Sequence, residues 1–235
     1  GENDLYWYAA AFKMYDQLDI SWNFWTYKKI ENDNSILSFR KLENWHRLFD
    51  KESTMSPEDA KAILNRFLEN IRFENCQVNR AVTNHLFRKD DVRLPSAFYD
   101  YEGEGVSFRT HNTRASTIRR QDRTDIVHRD GSPFDFHFSR YEEEDIKHDK
   151  YPYLRMHAKD YYVYTFHVSS LQEMRITVEN VNAAFDMEVN GERLKTNRDG
   201  ERVQSTYTPL RKTLKVKIVC QEPGIIGNVS IESKE

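Results

Sequence analysis

Histidines and acidic residues accumulate between residues 128 and 149, where their side chains would suit a metal site. Imidazole nitrogens and carboxylate oxygens ligate zinc and related ions, but known sites have characteristic ligand spacings. No such spacing occurs here, and a solvated charged loop is the preferred interpretation. A metal-dependent enzyme remains a third hypothesis. The residues are His128, Asp130, Asp135, His137, Glu142, Glu143, Glu144, His148 and Asp149.

A run of arginines precedes and overlaps this segment. Guanidinium groups bind phosphate, so the run would suit contact with phosphate. Acidic residues follow directly in the chain, and we expect them to neutralise it. The arginines are Arg109, Arg114, Arg119, Arg120, Arg123 and Arg129.

Two further features bear on covalent modification. Cys76 and Cys220 are too few and too far apart for a disulfide framework or a zinc site, so we expect reduced, buried thiols, with a single bridge as the alternative. Asn228-Val229-Ser230 matches an N-glycosylation sequon, a pattern that is common by chance.

The composition predicts a folded chain and argues against disorder, membrane insertion and general nucleic-acid binding. The 235 residues are 38% hydrophobic, 13% aromatic and 31% charged, with a mean hydropathy of -0.83. The apolar runs are too short to cross a bilayer. The net charge of -3 gives no general attraction to nucleic acid or anionic lipid. At about 100–200 residues per domain, the length predicts one large or two small domains.

The sequence begins with Gly1, and an amphipathic segment follows at once without the basic and then apolar pattern of a signal peptide. We therefore expect a cut or tagged terminus, with the true start of the protein missing. This expectation leaves open whether the protein is cytoplasmic or secreted.

Helix signals and all four tryptophans fall before residue 90, which predicts a domain over 1–90 and another over 91–235. Apolar residues at helical spacing predict helices over about 5–18 and 76–87. A third is expected to begin at Ser56-Pro57, a typical helix start. Between them, Ile20-Ser-Trp-Asn-Phe-Trp25 is typical of a strand buried on both faces, as in parallel sheets.

Residues 91–235 have the period of β-strands. Dense β-forming runs and strict alternation predict strands near 161–168, 174–179, 214–218 and 228–232. Asn190-Gly191 is a strong hairpin signal, and Asp199-Gly200 marks another turn. These features predict an antiparallel β-sandwich. Residues 110–150 are expected to be loops with one or two strands, such as 134–138.

The segment Ala10-Ala-Phe-Lys-Met-Tyr-Asp-Gln-Leu-Asp-Ile-Ser-Trp-Asn-Phe-Trp-Thr-Tyr-Lys28 resembles the end of a family 5 glycoside hydrolase barrel. It matches the seventh helix, the eighth strand and the loop that follows. The resemblance implies an α/β fold over 1–90, as the C-terminal fragment of a TIM (β/α)8 barrel.

Three segments of the second part are similar to galactose-binding-like carbohydrate modules of the family 6 and 35 type, with a jelly-roll β-sandwich fold. They are Leu94-Pro-Ser-Ala-Phe-Tyr-Asp100, Leu154-Arg-Met-His-Ala-Lys-Asp-Tyr-Tyr-Val-Tyr-Thr-Phe166 and Val189-Asn-Gly191. Such a module commonly follows a catalytic barrel in these families, so the two resemblances support each other.

The family 5 resemblance implies a sugar-binding role for residues at the end of the eighth strand. Barrel active sites lie at that face of the fold, and the indole of Trp25 would stack on a sugar ring beside the scissile bond. Trp22, which alternation places on the opposite face, is a further candidate for the stacking role. Tyr27 and Lys28 follow in the loop, where Lys28 would bond sugar hydroxyls. For Trp25 the alternative is a core position, and for Lys28 an ordinary surface position.

The same resemblance implies catalysis by two glutamates in a double displacement that retains configuration. The acid/base glutamate has no counterpart in this sequence. Glu2 is the only glutamate near the expected end of the seventh strand and is the candidate nucleophile. We expect the catalytic pair to lie outside this chain, which alone would be inactive.

In the second part, exposed loop tyrosines would bind glycan by stacking, with core or edge packing as the alternative. The candidates are Tyr141, Tyr151, Tyr153 and Tyr161. The module resemblance implies a structural calcium near Asp100 and Glu102, whose carboxylates are hard oxygen donors, with ordinary solvated acids as the alternative. No other cofactor is expected.

These observations predict the C-terminal portion of a retaining glycoside hydrolase acting on β-glucans of the cellulase or glucan β-glucosidase type. Its partner would be an oligo- or polysaccharide, without nucleic acid or membrane. The alternative is a non-catalytic β-sandwich that binds carbohydrate or braces the barrel.

Overall fold

The computed structural model describes residues 2–134 and 151–234, with side chains from Asp4 onward. Strands outnumber helices over these residues. None of the described helices has the length and apolar content required to cross a membrane. The described residues contain no TIM barrel. Of the predicted fold, only the sandwich-like part is present among them.

Three α-helices form where the sequence predicts helices, and all lie in residues 2–90, here called the helical region. They are α1 (Glu2–Gln17), α2 (Pro57–Asn70) and α3 (Arg80–Leu86). The hydroxyl of Ser56 accepts a hydrogen bond from the Asp59 N–H at 3.1 Å, so the predicted capping serine does begin α2.

A small sheet of three strands accompanies the helices: β1 (Lys28–Ile30), β2 (Leu37–Phe39) and β3 (Gln77–Val78). The strands lie in the order β1-β2-β3. Strands β1 and β2 pair in parallel, whereas β2 and β3 are antiparallel.

Residues 91–134 and 151–234 form two larger sheets. The first contains β5 (Phe108–Arg109), β8 (Tyr161–His167), β10 (Ala184–Val189), β11 (Glu192–Arg193) and β14 (Thr213–Glu222). The second contains β4 (Val92–Pro95), β6 (Asp125–Val127), β7 (Tyr153–Met156), β9 (Met174–Asn180), β12 (Asn197–Asp199), β13 (Arg202–Tyr207) and β15 (Gly224–Ser233).

The two sheets share one apolar core and so form a sandwich, here called the β-sandwich. Leu214, Val216 and Ile218 alternate inward from β14 and join Ile176 and Val178 from β9 in the same buried cluster. The first sheet has the order β11-β10-β14-β8-β5, and the second runs β12-β13-β9-β15-β7-β6 with β4 also on β15. The predicted period-2 pattern therefore positions this core.

The predicted hairpins are present. Asn190 and Gly191 both have positive φ, at 53° and 88°, as a type I′ turn requires, and they join β10 to β11. Asp199 and Gly200 lead from β12 into β13. The predicted strand over 134–138 lies almost wholly outside the described residues.

The strand predicted over Ile20–Trp25 is wrong. This segment has no regular secondary structure, because no strand among the described residues lies beside it to complete its backbone hydrogen bonds. Its aromatic residues are instead distributed between the surface of α1 and solvent. The aromatic composition of this run is thus typical of a buried strand, although the run does not form one.

A buried arginine joins the helical region to the β-sandwich. Arg88 is 1% exposed, and its Nε donates to the carbonyl of Ala9 in α1 at 2.8 Å. Its Nη2 donates to the carbonyl of Phe98 at 2.7 Å, and its Nη1 lies 3.1 Å from Oδ1 of Asp100. One guanidinium therefore fixes α1 against the start of the β-sandwich.

Candidate functional site

The segment Ile20–Tyr27 is anchored to α1 by alternate side chains. The Trp22 ring lies 4.4 Å from the Phe12 ring at 76°, and its Nε1 donates to Oδ1 of Asp16 at 2.8 Å. Phe24 also packs on Phe12, with ring centroids 5.8 Å apart. This inner side of the segment holds the backbone in place.

The outer side of the segment presents two aromatic rings, Trp25 and Tyr27, here called the aromatic surface. Trp25 is 89% exposed and Tyr27 is 52% exposed. The carbonyl of Tyr27 accepts a hydrogen bond from Leu37 N–H at 2.9 Å, which ties the end of the segment to β2. The backbone that carries these rings is therefore ordered, and stacking on a flat apolar surface would restrict only the side chains themselves.

Trp22 and Trp25 lie on opposite sides, as the alternation predicts. Trp22 is half-buried against the helix, whereas Trp25 faces solvent. The core alternative for Trp25 is therefore wrong.

Lys28 has a structural partner. Its Nζ donates to the carbonyl of Ile71 at 2.5 Å, at the C-terminal end of α2, where the helix dipole favours a positive charge. This bond links β1 to α2 and uses one of the three N–H donors of the ammonium group, whose binding of sugar hydroxyls stays a prediction.

Glu2 is the first residue of α1, and its side chain lies outside the described part of the structure. No carboxylate separation is therefore defined for it. Its role as a nucleophile stays a prediction.

Tyr151 and Tyr153 differ in their surroundings. Tyr151 meets Tyr6 of α1 edge-on, with centroids 5.1 Å apart at 85°. Tyr153 is 4% exposed, clusters with buried Val127 and Ile225, and donates its hydroxyl to Oε1 of Glu179 at 3.3 Å. Tyr153 presents no open ring face comparable to that of Trp25, and Tyr141 lies outside the described residues.

The two carboxylates assigned to calcium have separate protein partners. Asp100 is fully buried, and besides Arg88 it accepts hydrogen bonds from the N–H and the hydroxyl of Thr165, at 3.1 Å and 2.5 Å. Glu102 lies 3.9 Å from Nζ of Lys215. Asp100 thus compensates the charge of Arg88, and the calcium site stays a prediction.

Within residues 2–134 and 151–234, no group of three or more histidine, cysteine or acidic side chains is arranged to hold a metal ion. His128 is buried with its ring 4.9 Å from that of Phe134, and Asp130 bonds Ser132. The other members of the histidine and acid cluster lie between 135 and 150, outside the described residues.

The sequon lies in a strand. Asn228 of β15 is 6% exposed, and its Nδ2 donates to Oε2 of Glu179 at 2.9 Å. An oligosaccharide transferase needs that nitrogen free and accessible, so the folded chain does not offer the sequon for modification. Both cysteines are free; Cys220 is buried as expected, whereas the expectation of a buried Cys76 is wrong, since that residue is only half-buried. Burial, with nearby Asp160, raises the pKa of the Cys220 thiol to about 11.

Sequence reasoning missed the charged junction around Arg88, which nothing in the local pattern of Leu86-Phe-Arg-Lys-Asp90 indicates. A cavity of about 80 Å³ lies there, lined in part by Lys13, Asp16 and His167. Burial lowers the pKa of Lys13, and nearby Arg88 lowers it further. Burial and then Lys13 lower the pKa of His167. Only the tertiary structure brings these groups together.

Comparison with known proteins gives a structural likeness alone. No family model and no curated protein matches the sequence. Ten chains of solved structures match, among them a chain described as a family GH115 4-O-methyl-alpha-glucuronidase with specificity for decorated arabinogalactans. The TM-score is 0.30 at 10% identity, over 77% of this chain and 25% of that one. This chain therefore spans about a quarter of the length of that neighbour. A likeness of this degree assigns no family, and membership of family 5 stays a prediction.

Proposed function

We propose that this chain binds β-glucan through the aromatic surface, as the C-terminal portion of a retaining glycoside hydrolase of the cellulase or glucan β-glucosidase type. The observation that carries the proposal is Trp25, whose indole is 89% exposed on a segment anchored from its other side. A large exposed aromatic ring on an ordered backbone is typical of a binding site, because burying it later costs little conformational entropy.

The exposed apolar side chains of the helical region support the idea that it belongs to a larger structure. Eleven of the fourteen large apolar side chains classed as exposed among the described residues precede residue 91. They are Trp7, Leu18, Ile20, Trp25, Tyr27, Phe49, Leu64, Leu68, Phe73, Val78 and Phe87. Exposed apolar surface of this kind is usually covered in the functional state. In this proposal the rest of the enzyme covers most of it and supplies the catalytic glutamates.

The proposal divides the chemistry between this chain and the rest of the enzyme. A retaining mechanism needs two carboxyl groups about 5–5.5 Å apart, one as acid/base and one as nucleophile. This chain contributes the stacking surface beside them, and it releases no sugar by itself.

Affinity electrophoresis in gels that contain β-glucan tests the binding. Replacement of Trp25 by alanine (Trp25→Ala) should weaken retention about tenfold, the upper range for one aromatic stacking contact. Trp7→Ala is the matched control, because Trp7 is also an exposed tryptophan, at 57%, but lies on α1. Equal retention of wild type and Trp25→Ala would remove the aromatic surface as the binding site.

A bracing role is the second candidate, and the junction favours it. Arg88 and the edge contact of Tyr151 on Tyr6 fasten the β-sandwich to α1. If the chain braces a barrel without binding sugar, wild type and both tryptophan variants migrate alike in gels with and without β-glucan. Release of reducing sugar from β-glucan by the purified chain would contradict both candidates.

A further inference from the structure

Three arginines of one loop lack partners among the described residues. Residues 110–124, here called the arginine loop, carry Arg114, Arg120 and Arg123, all exposed. No hydrogen bond or ion pair joins their guanidinium groups to any described residue, so their positive charges face solvent.

The expected neutralisation is confirmed for Arg119, which pairs with Asp122. The described acids nearest the other three arginines have partners elsewhere, and the acids between 135 and 149 lie outside the described residues. The carboxylate of Asp122 accepts hydrogen bonds from Nε of Arg119 at 2.7 Å and from the hydroxyl of Tyr99 at 2.8 Å. Asp125 is bonded by Nη1 of Arg155 at 3.1 Å. Each of these acids thus has a partner other than the three exposed arginines.

The backbone of the arginine loop is fixed at several points. Its first part is held by buried Asp160, which accepts from the His111 N–H at 2.8 Å. The side-chain Nδ2 of Asn112 donates a hydrogen bond to the Arg114 carbonyl at 3.0 Å. Thr117 donates its hydroxyl to the carbonyl of Phe134 at 2.7 Å.

Arg119 anchors the other end of the loop. Its guanidinium stacks between the rings of Tyr99 and Tyr101, 3.4 Å and 4.0 Å from their centroids. It also donates to the carbonyls of Tyr99 and Asp100, at 2.5 Å and 2.7 Å. The loop is therefore held in place while its neighbouring arginines remain exposed.

The fold brings the two ends of the loop together. Ser116 donates its hydroxyl to the carbonyl of Thr124 at 2.6 Å and accepts from the Ile126 N–H at 2.9 Å. Arg114 is two residues before Ser116, and Arg123 directly precedes Thr124. These two arginines therefore lie on adjacent chain segments, with Arg120 in the turn between them.

We propose that the arginine loop binds the acidic groups of a polysaccharide. A guanidinium matches the geometry of a carboxylate or sulfate oxygen pair, and three of them on an ordered loop can meet acidic groups along one chain. The proposal rests on the proposed function, to which it adds that the glycan substrate, or the material around it, carries negative charge.

The test compares retention in gels containing polygalacturonate, dextran sulfate, single-stranded RNA or neutral β-glucan. The variant Arg114→Gln/Arg120→Gln/Arg123→Gln should bind polygalacturonate or dextran sulfate about tenfold more weakly, since three exposed ion pairs of ordinary strength sum to about one decade. The control Arg202→Gln/Arg211→Gln/Lys212→Gln removes the same charge at exposed positions elsewhere on the β-sandwich. It should keep wild-type retention. Circular dichroism checks that both variants fold.

The four gels distinguish the type of acidic group that is bound and separate polysaccharide binding from RNA binding. Retention by polygalacturonate supports a uronate, and retention by dextran sulfate alone supports a sulfate ester. Equal losses in both triple variants, no retention of wild type in either polyanion, or stronger retention in RNA would overturn the proposal. The neutral β-glucan gel reports on Trp25 separately, so failure of the arginine loop and failure of the aromatic surface are distinguishable.

Discussion

The β-sandwich encloses one large core that draws on both of its sheets. Among the described residues, the fully buried part of the cluster around α1 consists of Phe12, Val82 and Leu86. The helices of the helical region are equally well formed, yet α2 buries none of its residues. The β-sandwich thus owes its stability to burial, and the helical region relies on capping, aromatic pairs and its junction with the β-sandwich. The difference teaches that regular secondary structure does not by itself complete a folded unit.

The largest effect on this comparison should come from breaking the junction. Arg88→Met leaves Asp100 buried without its counter-charge, and breaking a buried ion pair in this way costs about 3–5 kcal/mol. Urea denaturation followed by circular dichroism measures the loss. Arg66→Met, at an exposed position on α2, is the control and should change stability by less than about 0.5 kcal/mol.

If Arg88→Met and Arg66→Met have the same midpoint, the two regions do not depend on their junction. The comparison would then describe two independent units rather than a stable one that supports a weaker one.

The second prediction compares the loss of stability caused by one leucine-to-alanine substitution in each of the two regions. Leu214→Ala opens a cavity in the core of the β-sandwich, where Leu214 is fully buried, and should cost about 2–5 kcal/mol. Leu68→Ala on α2 removes a side chain that is 56% exposed and should cost less than about 0.5 kcal/mol. The free energies of unfolding in urea give both values. A loss at Leu68 as large as that at Leu214 would mean that α2 is packed against something in solution.

The third effect concerns what holds α2 when burial does not. Ser56→Ala removes the hydroxyl that caps Asp59 N–H and should cost about 1 kcal/mol. Hydrogen exchange at the first turn of α2 should accelerate accordingly. Ser56→Asp is the control, because an aspartate caps a helix as well as a serine does. Slow exchange in Ser56→Ala would show that tertiary contacts, rather than the cap, fix this end.

The same contrast explains which parts of the fold are predictable from sequence. The alternation of Leu214, Val216 and Ile218 and the Asn190-Gly191 turn are local signals, and the structure has the strand and hairpin that they predict. The run from Ile20 to Trp25 has the composition of a buried strand, but a strand also needs neighbours, and none lies beside it among the described residues.

The candidate site divides in the same way. The opposite placement of Trp22 and Trp25 follows from alternation along an extended backbone, so it was predictable. The partner of Lys28, the carbonyl of Ile71, is 43 residues away in the chain and was not. Likewise, Asp122 pairs with Arg119 and Asp125 with Arg155 in the tertiary structure. The sequence alone does not show that these two acids leave Arg114, Arg120 and Arg123 exposed.

The smallest effect is a dependence on pH at the junction. His167 packs there with Lys13, Asp16, Arg88 and Asp100, and burial followed by Lys13 lowers its pKa below 6.5. The neutral imidazole is therefore favoured in the folded state. The stability that His167 contributes by staying neutral is fully present above pH 6.5, and it is lost as the pH falls through the folded-state pKa.

Wild type should accordingly lose more stability between pH 7 and pH 5 than His167→Gln, which cannot titrate. His46→Gln, at an exposed position in the helical region, is the control and should follow wild type. Urea midpoints at the two pH values provide the measurement. If His167→Gln and wild type lose the same stability, acid acts elsewhere, and the junction depends on the Arg88–Asp100 pair rather than on its histidine.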